Sequence, residues 1–129
     1  MKKHTERKIL TPLELKVMNV LWTLKKAFVK DVIEAWPEAE KPKYNTVSTI
    51  IRILENDKDY IGHEVHGRSY RYFPLVSRAQ YQKMHIKNVL KNVFAGSMDG
   101  LVSTLINDET VSNQELDSLR KLLDDHQES

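Results

Sequence analysis

The spacing of apolar residues changes from helical to alternating between Asn56 and Ile61, and that change limits the folds open to this chain. Upstream the apolar residues recur at intervals of three and four, as one face of a helix requires; downstream they alternate, as in a half-exposed strand. Thr11-Pro12-Leu13-Glu14 supplies a capping threonine, a proline at the first helical position and a glutamate three residues past the cap. That is a local helix start. The helix is expected to reach about residue 24, with Leu13, Val17, Val20, Leu21 and Leu24 on its buried side. Val29, Val32, Ile33 and Trp36 predict a short second helix over 29–36, stopped at Pro37 because a residue preceding proline is pushed out of the α region. A third helix is expected over 45–56. Ile61, His63 and Val65 then share one face of a strand, and Tyr70 and Tyr72 one face of the next, with Gly67-Arg68-Ser69 as the turn.

The third helix carries the chemistry. At ~100° per residue, Val47, Ile50, Ile51 and Leu54 gather on one side, and Asn45, Ser48, Thr49, Arg52 and Asn56 on the other. The polar side holds no acid, whereas a merely solvated face ordinarily mixes Glu with Lys. Amides, hydroxyls and a guanidinium are the groups that hydrogen-bond base edges and phosphates in a major groove. Three helices followed by a hairpin with a basic tip is the order of a winged helix-turn-helix, whose third helix enters the groove while the hairpin reaches the backbone. Asn45, Ser48, Thr49 and Arg52 are therefore the candidate groove-facing set. Lys43 and Thr46, at the helix entry, are candidate phosphate ligands alongside the first-turn N–H groups. Arg68 at the hairpin tip and Arg71 are candidate backbone clamps. Residues 1–75 hold 14 basic and 10 acidic side chains, and the remainder 6 and 8. This bias suits a nucleic-acid partner but is too modest to carry the inference without the pattern of helix three.

Past residue 76 the character changes. Ser77-Arg78-Ala79-Gln80 and Ser112-Asn113-Gln114-Glu115 are two further capping boxes, opening helices expected over 78–94 and from 113. Another helix is expected over 98–106. Val89, Val93, Leu101, Leu105, Leu116, Leu119 and Leu123 supply apolar stripes to this half. About 50 residues make only a marginal core, so these helices are expected to associate with the same helices of a second chain. The expected organisation is mainly α with a small β-hairpin: an N-terminal winged-helix DNA-binding domain over 1–76 and a C-terminal helical dimerisation domain over 77–129. A homodimer presents two copies of helix three, which matches a double-stranded DNA operator with two-fold symmetry.

Other classes are poorly served. Without cysteine there is no thiolate catalysis, disulfide or Cys-based metal site, and a reducing, cytoplasmic setting is expected. His63 and His66, three apart on a strand, should point to opposite faces and not to a shared metal. His4, His85 and His126 are isolated in sequence. Trp22 and Trp36 end apolar stripes and are expected in the core, and Tyr60, Tyr70 and Tyr72 in hairpin packing. No Ser-His-Asp arrangement, Gly-rich phosphate loop or metal-ligand spacing can be assembled, so no enzyme, cofactor or metal is expected. No apolar run approaches the ~20 residues of a membrane span, and no membrane insertion is expected. The remaining competitor is a winged-helix interaction adapter that does not read DNA, for which no salt-dependent duplex affinity is expected.

Four stretches in order carry a resemblance: Leu10-Thr11-Pro12-Leu13-Glu14 with Val17-Met18 and Leu21-Trp22; Tyr44-Asn45-Thr46-Val47-Ser48-Thr49 with Arg52 and Leu54; Gly67-Arg68 with Tyr72-Phe73-Pro74-Leu75-Val76-Ser77; and Gly100-Leu101-Val102 through Val111-Ser112-Asn113-Gln114-Glu115-Leu116 and Leu119. Across roughly residues 9–124 the chain resembles the BlaI/MecI/CopY family of penicillinase-type repressors. The resemblance implies a winged helix, a helical dimerisation region and repression by dimers on inverted-repeat operators. In the antibiotic-resistance members it also implies a membrane sensor metallopeptidase, encoded in the same operon, leading to repressor cleavage. At the position of those members' Asn-Phe cleavage bond this chain has Thr104-Leu105. The cysteine motif of the copper-responsive members is missing, so sensing of that kind is not expected.

Overall fold

In a computed structural model, which describes residues 7–128, six α-helices and one β-hairpin form in the order α1 (Pro12–Leu24), α2 (Val29–Glu34), α3 (Tyr44–Arg52), β1 (Ile61–His66), β2 (Ser69–Pro74), α4 (Arg78–Asn92), α5 (Met98–Ile106) and α6 (Asn113–Glu128). The chain is mainly helical with one antiparallel pair of strands, as the change of period requires. Two compact units are present, one ending at Lys83 and the other beginning at Met84.

Local chemistry sets most helix starts. Thr11 Oγ1 accepts from Glu14 N–H at 3.2 Å and Glu14 Oε1 accepts from Thr11 N–H at 2.8 Å, a reciprocal box ahead of Pro12. Ser77 with Gln80, and Ser112 with Glu115, repeat that geometry at α4 and α6. Each box satisfies N–H groups that a helix start leaves without intrahelical partners.

Helix ends depart from expectation. α2 stops at Glu34, short of Trp36, since the Trp36 N–H bonds only three residues back, to Ile33 O at 3.2 Å. Trp36 is nonetheless buried, as a core residue outside the helix. α3 ends at Arg52, and Ile53–Asp57 form a wider π-turn, in which the Lys58 N–H reaches five residues back to Ile53 O at 3.0 Å. α4 ends at Asn92, before Phe94: Ala95 and Gly96 take φ of 50° and 84°, and the Gly96 N–H donates to Leu90 O at 2.8 Å. The hairpin turn is Gly67-Arg68 alone, with Ser69 already paired to His66. Gly67 has φ 62° and Arg68 has no positive φ, the arrangement of a type II′ turn, where glycine takes the first position at no steric cost.

The core of the first unit joins Val17, Met18 and Leu21 of α1, Val32 of α2, Val47 and Ile51 of α3, Leu54 of the π-turn, Tyr60 and Ile61. Two backbone bonds between Ala27 and Tyr72, at 2.7 and 2.9 Å, pin β2 against the loop that links α1 to α2. Trp22 donates from its indole N–H to Val76 O at 2.8 Å and is partly exposed, while Tyr81, in the first turns of α4, is buried and its hydroxyl accepts from Leu10 N–H at 3.1 Å. In the second unit no described side chain is buried, and Val93, Leu105, Ile106, Leu122 and Leu123 are exposed.

Glu14 is the one charged residue buried among the described residues, and Lys58 donates to its Oε1 at 2.5 Å. Burial opposes ionisation of this carboxyl, but hydrogen bonds from Lys58 and Thr11 outweigh it, and its pKa lies below the ordinary 4.5. A carboxylate depressed on folding adds stability that is complete above the unfolded-state value and is lost as pH falls through the folded one. Glu14→Gln is therefore expected to cost about 1–3 kcal/mol at neutral pH. In urea unfolding the difference from wild type should shrink as pH is lowered into the acid range.

Candidate nucleic-acid interface

α3 is built with one side committed to the core. Val47, Ile50, Ile51 and, one turn later, Leu54 are at most 8% exposed. On the outer side Lys43, Asn45, Thr46, Thr49 and Arg52 are exposed, and Ser48 is half-buried at the edge of a cleft. No acid lies on α3. The helical spacing that predicted this division holds through Arg52, and Asn56, in the π-turn, is also exposed. Tyr44, 57% exposed at the first position of α3, also belongs to this surface. Sequence reasoning named it only within the run Tyr44-Asn45-Thr46-Val47-Ser48-Thr49. Its place between exposed Lys43 and Asn45 was the available signal.

The hairpin stands beside α3, held by side chains on one of its faces. Within the sheet His63 lies opposite Tyr72 and Val65 opposite Tyr70. The His63 ring stacks on Tyr70 with centroids 4.2 Å apart, and its Nδ1 bonds to Glu55 of the π-turn. Tyr72 is buried and Tyr70 exposed, so the expectation of packing holds fully for Tyr72 and Tyr60 and only partly for Tyr70. Burial raises the pKa of the Tyr72 hydroxyl, with Glu55, Tyr44 and Tyr70 adding to the rise and Arg52 opposing it. That hydroxyl stays protonated, a donor among the polar groups of α3. His66 meets Phe28 edge-on at 5.7 Å and Glu64 at 3.3 Å. It does not join His63 at a shared site, and the described residues contain no cluster of three groups able to hold a metal.

The expected residues are not all brought together. Arg68 and Ser48 line the same cleft, whereas Arg71, opposite Glu64 in the register, alternates to the other face from Tyr70 and Tyr72. The ion pairs sort the cations. Lys16 pairs with Glu38 at 2.8 Å, Lys26 with Glu64 at 2.5 Å and Lys58 with Glu14 at 2.5 Å. Lys30, Lys43, Arg52, Arg68 and Arg71 enter no ion pair among the described residues. Uncompensated cations around an acid-free helix face make a local field that favours a polyanion.

Residues 10–125 match the family model for the penicillinase repressor. The chain belongs to the penicillinase repressor family. This is a family of transcriptional repressors and not of enzymes. Among relatives of this family member, the methicillin resistance regulatory protein MecI of Staphylococcus aureus strain N315 is 27% identical over 110 residues, 85% of this chain and 89% of that protein. A penicillinase repressor of Bacillus licheniformis is 23% identical over 114 residues, 88% of each chain. The solution structure of the DNA-binding domain of the repressor BlaI aligns with a TM-score of 0.47 and 24% identity, covering 63% of this chain and 94% of that one.

Exposed cations outside any ion pair should matter little to folding. Replacing Arg52 and Arg68 together by alanine is expected to leave the unfolding free energy of this repressor within about 0.5 kcal/mol of wild type. Urea unfolding of the double variant checks this.

Proposed function

We propose that this chain is a dimeric, sequence-specific DNA-binding transcriptional repressor that acts in the cytoplasm on an inverted-repeat operator. The observation that carries this is the acid-free outer side of α3, flanked by cations that no carboxylate neutralises. Asn45, Ser48, Thr49 and Arg52 reach base edges in the major groove. Lys43 and Thr46 hold phosphate at the helix entry, and Arg68 with Arg71 holds the backbone beside the hairpin. The DNA-binding domain spans 1–76 and the dimerisation region 77–129.

Dimerisation follows from what the second unit fails to bury. Val89, Leu101, Leu105, Leu116, Leu119 and Leu123 lie on α4, α5 and α6 and Val93 in the turn after α4, and among the described residues none beyond Tyr81 is buried. A second copy covers such surface at the lowest cost in specificity, because a two-fold interface meets itself. Each half of a symmetric site then binds in an intramolecular second step, so loss of the dimer lowers operator occupancy without any change in α3.

Release proceeds by proteolysis in α5, at or near Thr104-Leu105, started by a membrane sensor metallopeptidase encoded in the same operon. In the single chain both residues are exposed, and Thr104 Oγ1 donates to Gly100 O at 2.8 Å. Helices without buried side chains open locally at small cost, as a protease requires. No described helix is long and apolar enough to cross a membrane.

Two outcomes test this. Binding to a duplex selected by the full chain should fall with salt. Arg68→Ala should reduce the slope of log affinity on log salt by about 0.9 for every phosphate that is no longer neutralised, and Arg52→Ala should weaken binding about tenfold and relax the preference at one base position. Unchanged affinity and slope in both variants refute the assignment of faces. Separately, the full chain should sediment as a dimer at micromolar concentration. Leu105→Asp with Leu119→Asp should give monomers whose affinity for the two-half-site duplex is lower by roughly 10²-fold. A monomeric wild type contradicts the dimer.

A further inference from the structure

Between the start of α2, the first turns of α3 and the hairpin tip lies an open cleft of about 390 Å³. Lys30 and Arg68 are its cationic walls, and Tyr44, Ser48, Ser69 and Tyr70 bring hydroxyl groups to it. No Asp or Glu lines it. The acids nearest in sequence are committed elsewhere. Asp31 accepts from Phe28 N–H at 2.9 Å, and Glu64 is held by Lys26 at 2.5 Å and by His66, on the cleft rim, at 3.3 Å. Lys30 and Arg68 themselves enter no ion pair among the described residues.

A concavity that presents cations and hydroxyl donors without a carboxylate takes an anion. Its position identifies which. Ser48 belongs both to the cleft and to α3, beside exposed Thr49 and one turn from Asn45. An anion seated there is therefore continuous with whatever α3 touches. The room beyond a single phosphate is bordered by the rings of Tyr44 and Tyr70, both exposed and able to pack against a sugar.

We propose that this cleft seats one backbone phosphate of the bound duplex in each half-site, with Lys30 and Arg68 both supplying positive charge to it. This rests on α3 being the helix that enters the major groove. It adds Lys30, which lies on neither α3 nor the hairpin, to the residues that hold DNA. It also accounts for the cleft between them: the strand runs through it from the hairpin to the helix.

The test uses the full chain and a duplex it selects from a random pool, remade with a single neutral methylphosphonate at each backbone position in turn. For wild type, one position per half-site should weaken binding roughly tenfold on neutralisation. That position should become silent in the Lys30→Gln, Arg68→Gln double variant, whose salt slope should be smaller by about one per protomer. Each single variant should show a reduced effect at the same position, which keeps the test readable if the double variant folds poorly. The proposal is overturned if every methylphosphonate costs the variants as much as it costs wild type, or if Lys30→Gln binds with wild-type affinity and slope. Absence of any salt-dependent duplex binding by wild type would instead overturn the assignment of α3 itself.

Discussion

One carboxylate fixes the frame in which α3 is held. Glu14 Oε1 accepts both the Thr11 N–H that opens α1 and the ammonium of Lys58, which leaves the π-turn after α3. Helix start and helix end, 44 residues apart in sequence, thus share one oxygen. Buried charge without a partner is costly, so the pair tolerates little displacement of one segment against the other. The apolar seat of Val47, Ile50, Ile51 and Leu54 supplies the bulk of the attraction, but apolar burial has no direction and would accept a small rotation of α3. A hydrogen-bonded ion pair at the end of the helix does not.

The hairpin is tied in from two sides. Backbone bonds between Ala27 and Tyr72 fix β2 to the loop after α1, and the Glu55–His63–Tyr70 contacts fix its outer part to the turn after α3. Arg68 is consequently offered from a two-residue turn with a defined direction relative to α3. The distribution of ion pairs follows the same division. Lys16, Lys26 and Lys58 are neutralised by Glu38, Glu64 and Glu14, whereas Lys43 and Arg52 beside α3 and Lys30 and Arg68 around the cleft enter no ion pair among the described residues. In the second unit Val93, Leu105, Ile106, Leu122 and Leu123 stay at the surface, in contrast with the buried core of the first unit.

Much of this was legible in the residues. The three capping boxes form as expected because each is closed by side chains only three positions apart, and the outward set Asn45, Thr49 and Arg52 emerges from helical spacing alone. Errors gathered at helix ends, where a bond three, four or five residues back differs little in local preference. Trp36 left its helix, and the turn after Arg52 widened. Tyr44 and Lys30 were missed for a different reason. Each looks ordinary on its own segment, and only the approach of α2, α3 and the hairpin gives them a shared cleft.

Local chemistry by itself decided where most helices begin, which side of α3 is apolar, where the chain turns to strands and that the outer side of α3 carries no acid. Those properties depend on neighbours within one or two turns. On α1, by contrast, Leu13 and Leu24, expected to be buried, are exposed and Met18 is buried. The partner of Glu14, the pinning of Tyr72 to Ala27, the commitment of Lys26 to Glu64 and the cleft that leaves Lys30 and Arg68 facing an unneutralised space were decided only by the tertiary fold. Each joins residues tens of positions apart, and no spacing rule reaches that far.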